Sequence, residues 1–427
     1  MKRKTIFILA VTLLIFAVIA AGCSWGQGDP AEKTANQTPK EAGSSELLTA
    51  SWEDIVSQAK GQTVNLYMWG GGESINRYID EWVTPRLEQQ TGIKLKRVPV
   101  KDIKDSINKL LAEKQTGKNN GSIDIMWING ENFLTAKENK LLWGPFAEKL
   151  PHVKQYVDYE AADIRYDFGE DTAGMEAPWG KAQFVFVYDA EKVTNPPKSM
   201  SELMEWVKKN PGKFTYPAPP DFNGSAFIRN ALYEITGGHE QFLKQMERAD
   251  LNTKLQPLWG YLNELKPYLW RQGQTYPESL AKLDQLYASG EVWMTMGYDP
   301  SRVSNLMQKG TFPKSTRSFV LDKGTLSNTH YLAIPFNSEH QAGAMVAINF
   351  FLSPDAQITK FDPNYWGEDM SLNPQKMSKE EQKRLDSIDR GEATLPAQIL
   401  ASHRLPEMPA SYVDVIEKSW IEHVAKK

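Results

Sequence analysis

A single cysteine, Cys23, occurs in the 427 residues, so no intramolecular disulfide framework can form. Histidine is scarce too, with six scattered copies. His239-Glu240 opens a His-Glu-x-x-His string but lacks the second histidine that would complete a zinc pair. There is no Gly-x-Ser-x-Gly elbow to present a nucleophile, and Gly70-Gly71-Gly72 is not followed by the Gly-Lys-Ser/Thr that grips phosphates. Nucleophilic, metal and nucleotide chemistry therefore lose their usual sequence support, and no cofactor or metal is expected. Paired carboxylates leave an extracytoplasmic hydrolase open as a rival class. With 49 basic against 53 acidic residues, a net charge of -4 and no concentrated basic patch, nucleic acid is not an expected partner.

One long apolar run is present, and it lies at the start. Lys2, Arg3 and Lys4 precede Ile6 to Ala21, the layout of a secretory signal. The run falls short of the roughly 20 apolar residues a spanning helix needs. Ala20-Ala21-Gly22-Cys23 resembles a bacterial lipobox, departing from it in having Ala20 where leucine is usual. Residues 1–22 are expected to be a lipoprotein signal peptide, with Cys23 lipidated to hold the chain at the membrane. Residues 23–50 lack apolar periodicity and are expected to form a flexible tether with a reach of roughly 25–30 Å.

The rest is too long for one comfortable core, which predicts two lobes. Val64 to Trp69 alternates as a strand, Gly70 to Gly72 breaks it, and Ile75, Tyr78, Ile79, Trp82 and Val83 mark a helix face. Pro85 is expected to kink or end that helix, and Thr91-Gly92 to stop it. Leu95 to Val100 and Ile123 to Ile128 predict further strands, separated by a helix from Ile103 to near Gly117. Phe184 to Tyr188, Leu203 to Val207, Phe214 to Tyr216 and Ala226 to Ile235 repeat the strand and helix alternation in a second lobe. Glu291 to Met296 and Tyr331 to Pro335 predict further strands, and Ala342 to Leu352 a helix ended by Ser353-Pro354. The fold class is α/β.

An ordered set of segments carries a family likeness. These are Val64 to Gly72, Ile123 to Gly130, Pro178-Trp179-Gly180 leading into Phe184 to Asp189, Pro197 to Leu203 with Pro211 to Phe214, and Asn328 to Pro335 followed by Ala342 to Gln357. In order and spacing the chain resembles a type 2 periplasmic binding protein, the extracellular solute-binding component of ABC importers, of the YnjB-like branch, whose relatives include thiamine, polyamine and iron binders. The resemblance implies two lobes joined by a hinge around an inter-lobe cleft, with crossings near Trp179 to Asp189 and Leu326 to Ile334. Lobe one would span 51–180 and 335–427, including the C-terminal helices, with lobe two at 181–334. It also implies a monomer that captures a small molecule on the extracytoplasmic face of the membrane. The partners would be permease subunits and their ATPase. A surface adhesin or sensor could share the tether and lobes, but no low-complexity stalk or heptad repeat favours one.

Ligand groups in such a cleft belong at strand exits and helix N-termini, where backbone N–H groups are free. That rule nominates Trp69, Gly70, Gly71, Gly72 and Glu73, then Asn129, Gly130, Glu131 and Asn132 in lobe one. In lobe two it nominates Asp221, Asn223, Gly224, Ser225, Tyr298 and Asp299. Gly70 to Gly72 and Asn129-Gly130 are also ordinary turn sequences, and Asn223 to Ser225 also reads as a plain helix cap. Four acids, Glu73, Glu131, Asp221 and Asp299, beside Trp69 and Tyr298 suit an organic cation, thiamine-like or polyamine-like. Ferric iron, a sugar and an anion remain alternatives.

Overall fold

The computed structural model describes residues 42–426. The proposed signal peptide, Cys23 and most of the proposed tether lie outside the described residues. Ala42–Thr49, placed by sequence in the tether, is helical. Leu47 is buried in the first core, with Leu48 and Ala50 packed against it, so the globular body begins before residue 50.

The larger sheet grows around Thr63–Trp69, which pairs in parallel with Lys94–Val100 and Ile125–Ile128. Its neighbour Thr325–Pro335 runs antiparallel to Ile125–Ile128 and to Glu176–Gln183, and Asp369–Met370 closes that edge. Gly92, in left-handed conformation with φ 75°, stops the helix Thr84–Thr91 as its sequence predicts. Pro85 does not end the helix. A π-helical turn at Tyr78–Val83 precedes it and leaves Pro85 in the first turn of the regular segment that follows. The wider π-helical turn takes up the break that the proline ring and its missing N–H make in the backbone ladder.

Lobe two, expected as a second series of alternating strands and helices, is built differently from lobe one. Its sheet has three antiparallel strands, in the order Thr316–Phe319, Val185–Asp189, Met294–Gly297. Phe214 to Tyr216 is extended but belongs to no strand; the Phe214 carbonyl takes a lone hydrogen bond from Trp270.

Glu176–Gln183 and Thr325–Pro335 run side by side between the lobes, and the Phe184 N–H still donates to the Leu326 carbonyl at 2.8 Å. A third connection lies between Ile388, packed on lobe one, and Ala393, buried in lobe two. From there to Val424 the chain belongs to the second core, with Leu400, Met408, Tyr412, Ile416 and Trp420 buried among residues 184–326. Most apolar residues of 393–424 therefore pack with lobe two, while Ala410 and Val413 pack against Phe168 and Leu134 of lobe one. Their apolar positions find the uncovered side of that lobe's helices, and the Trp420 indole donates to the Tyr216 hydroxyl at 3.1 Å. Among the described residues no helix is long and apolar enough to cross a membrane.

Candidate functional site

Alternation along two strands builds the lobe-one wall of the cleft. Trp127 and Asn129 project from one face at the end of Ile125–Ile128, and Asn328 and His330 from the same face of the neighbouring crossing strand. The Trp127 ring lies 4.8 Å from His330 and 5.4 Å from both Trp179 and Trp366. Behind the rings Lys360 Nζ donates to the Trp179 carbonyl at 2.9 Å and to Glu368 Oε2 at 2.8 Å. His330 Nε2 is 3.0 Å from the same oxygen. Burial pushes the Glu368 carboxyl up, but His330 and Lys360 outweigh it and hold the group below its ordinary range. Glycine at position 180 leaves the room this cluster occupies, since a Cβ there would overlap Glu368, Lys360 and His330 as they stand.

Lobe two brings Asp299 opposite this wall. Its Oδ1 accepts from the N–H groups of Ser301 and Arg302, both at 3.0 Å. Among the described residues its Oδ2 makes no hydrogen bond. Burial and the facing Glu368 push its carboxyl up to about 6. The Asn305 amide reaches the Trp366 carbonyl at 3.5 Å, and Arg390 joins Ser301 Oγ at 2.8 Å to the Gly367 carbonyl at 2.7 Å. The lobes are thus in contact around the cleft.

The other nominated lobe-two residues serve the lobe itself. Asp221 caps its helix, with Oδ1 accepting from Asn223 and Gly224 and Oδ2 from the Leu280 N–H. Both oxygens are used, so it offers no free counter-charge. Asn223 Oδ1 accepts from the Tyr298 N–H at 3.2 Å, and a Cβ on Gly224 would overlap the Pro217 carbonyl. Ser225 accepts from Arg229 at 2.7 Å. The Tyr298 hydroxyl donates to Glu407, and its ring packs between Phe184 and the exposed Phe222.

In lobe one Trp69 is 45% exposed and folds its indole over Gly71 and Gly72, where a side chain would collide with the ring. Gly70 sits against Pro99 and donates to the Val100 carbonyl at 3.1 Å. Glu73 pairs with Lys309 of lobe two. Asn129 Nδ2 is 3.5 Å from Asn328 Oδ1. Gly130, at φ 60°, does not offer a free N–H, because Asp167 Oδ2 accepts it at 2.7 Å. Glu131 is pushed up by burial and by Glu417 of the C-terminal segment, so it lies where that segment meets lobe one, whereas Asn132 makes no side-chain hydrogen bond among the described residues and sits partly buried in the helix Gly130–Glu138. Sequence reasoning from strand exits and helix N-termini does not single out Trp127, Asn328, His330 and Trp366, because they lie within strands or beyond a distant helix.

A protein-family model described as "Bacterial extracellular solute-binding protein" matches residues 82–367. This chain belongs to the bacterial extracellular solute-binding protein family. Protein YnjB of Escherichia coli (strain K12) is 38% identical to it over 373 residues, 87% of this chain and 93% of that protein. The thiamine-binding periplasmic protein of Salmonella typhimurium is 28% identical over 141 residues, 33% of this chain and 36% of its own length. The solved spermidine/putrescine ABC transporter substrate-binding protein PotD from Streptococcus pneumoniae matches with a TM-score of 0.57 at 15% identity, covering 85% of this chain and 98% of that one. The last likeness shows the fold alone, the two-lobed architecture of type 2 periplasmic binding proteins. As a member of this family the chain is an extracellular solute-binding protein.

Proposed function

We propose that the cleft binds a small organic cation, with Asp299 as its counter-charge and the partly exposed Trp127 ring, backed by Trp366, beside it. The observation that carries this reading is the unengaged Oδ2 of Asp299, a partly buried carboxylate whose Oδ1 alone is held by backbone N–H groups. A cation gains there from charge pairing and from the ring faces together. One anion site of the fold is already filled from within, since the N-terminus of the helix Gly130–Glu138 donates to Asp167. The names of two relatives, one thiamine-binding and one spermidine/putrescine-binding, support the same ligand class. A ferric site would need several converging anionic groups, and among the described residues no group of three or more His, Cys, Asp and Glu side chains is placed to hold a metal.

In this reading the protein is exported, tethered outside the membrane through lipid on Cys23, works as a monomer and delivers the cation to permease subunits driven by an ATPase. Tryptophan fluorescence titrations with thiamine, putrescine, sulfate and maltose test the ligand class. A cation is expected to change the emission saturably, with affinity falling as pH drops below about 6 and Asp299 becomes protonated. Saturable binding of sulfate or maltose without that pH dependence would point to an anion or sugar instead.

A further inference from the structure

The cleft holds a polar group that charge pairing does not use. Asn328 stands on the crossing strand Thr325–Pro335, on the face that also carries His330. Its Oδ1 faces Asn129 Nδ2 at 3.5 Å, a marginal bond, while its own Nδ2 is buried with no hydrogen-bond partner. A buried amide donor left unpaired is costly, and native proteins keep few of them. The neighbours along this face are the Trp127 and His330 rings, 4.8 Å apart.

Resting on the cation reading above, we infer that Asn328 is a specificity-determining residue, selecting cations that also carry an uncharged hydrogen-bond acceptor on a flat body. A ring nitrogen, carbonyl or hydroxyl would receive the Asn328 N–H while the charge meets Asp299. An aliphatic polyamine has donors at every nitrogen when protonated, and would leave the amide unpaired. A site built to hydrogen-bond its ligand discriminates strongly against analogues lacking the partner atom, because its own buried group is then stranded. The aromatic neighbours act in the same direction, since they favour planar ligands over flexible chains.

Calorimetry on the purified chain with matched probes tests this. The pair 1-methylnicotinamide and 1-methylpyridinium share a flat cationic ring, and only the first carries an acceptor; thiamine and putrescine extend the comparison. The acceptor-bearing cations are expected to bind wild type about tenfold or more tightly than their counterparts. Asn328→Ala should erase that margin while leaving 1-methylpyridinium nearly unchanged. Asn328→Asp, which replaces the donor by an acceptor, should shift preference toward putrescine and provides a second readout if the alanine variant folds poorly. Equal binding of the two ring cations by wild type, or an equal loss for both in Asn328→Ala, would overturn the role of Asn328 and leave the cation reading standing. If no cation binds while sulfate or maltose does, the cation reading itself fails and the role of Asn328 with it.

Discussion

Arg229 and Glu407 meet inside lobe two through Nε to Oε2 at 3.1 Å and an amino group to Oε1 at 3.2 Å, with side-chain exposures of 1% and 2%. The pair joins the helix Phe222–Ile235 to the C-terminal segment, and Tyr298 and Ser225 complete its hydrogen bonds. Burial works against the charge on Arg229, but Glu407 and its neighbours outweigh it and keep the guanidinium protonated. Removing one partner leaves the other charge buried and unpaired. Arg229→Met is expected to cost about 3–5 kcal/mol in urea unfolding. The paired change Arg229→Met with Glu407→Leu should recover much of that loss.

Asp167 and Glu176 form a second buried relationship with the opposite character. Both are essentially unexposed, neither is in an ion pair among the described residues, and three of their four carboxylate oxygens have no partner. Burial raises both well above the ordinary carboxylate range, reinforced at Asp167 by Glu131, Glu407 and Glu170 and at Glu176 by Asp167. A raised acid binds more protons folded than unfolded, so its stabilisation is fully present below the unfolded value and is lost as pH rises through the folded one. Thermal unfolding midpoints should therefore fall as pH is raised above about 4. Glu176→Gln, neutral at every pH, is expected to flatten that slope and to be at least as stable as wild type at neutral pH.

Gly180 is the point on the first crossing strand where Lys360, Glu368 and His330 approach the backbone. Gly180→Ala is expected to destabilise the chain by about 1–3 kcal/mol, because all three groups are packed and cannot withdraw freely. Chemical denaturation against wild type measures it. A neutral result would mean that the cluster can shift.

Glu73 and Lys309 pair across the lobes with the Glu73 side chain 80% exposed. The Lys309 ammonium holds the Glu73 carboxyl below its ordinary range. Exposed pairs are screened by salt. Lys309→Met should weaken ligand binding slightly at low ionic strength, and the difference from wild type should vanish as salt is added.

Most of the first lobe was legible from the alternation of Val64 to Trp69, the apolar Ile123 to Ile128 and the stop at Gly92, because local periodicity and backbone conformation decide those elements. Residues 393–424 were not, since a helix's apolar face does not say which lobe it covers. The same limit applies to the site. Asp299 could be found as an acid just past a strand exit, whereas Asp221 satisfied the same rule and is wholly engaged as a cap. Asn328 and His330 announced themselves only by alternation within a crossing strand, and Trp366 reaches the cleft from a segment distant in sequence. Their role depends on tertiary contacts that no local pattern encodes.

The cationic ligand is the central claim, and calorimetry on wild type and Asp299→Asn tests it most directly, with thiamine and putrescine set against ferric iron, sulfate and maltose. Asp299 carries its charge at the expense of the ligand-free fold, so the variant is expected to melt no lower than wild type while losing about 2–5 kcal/mol of cation affinity. Tight binding of sulfate or maltose, unaffected by the substitution, would contradict the account.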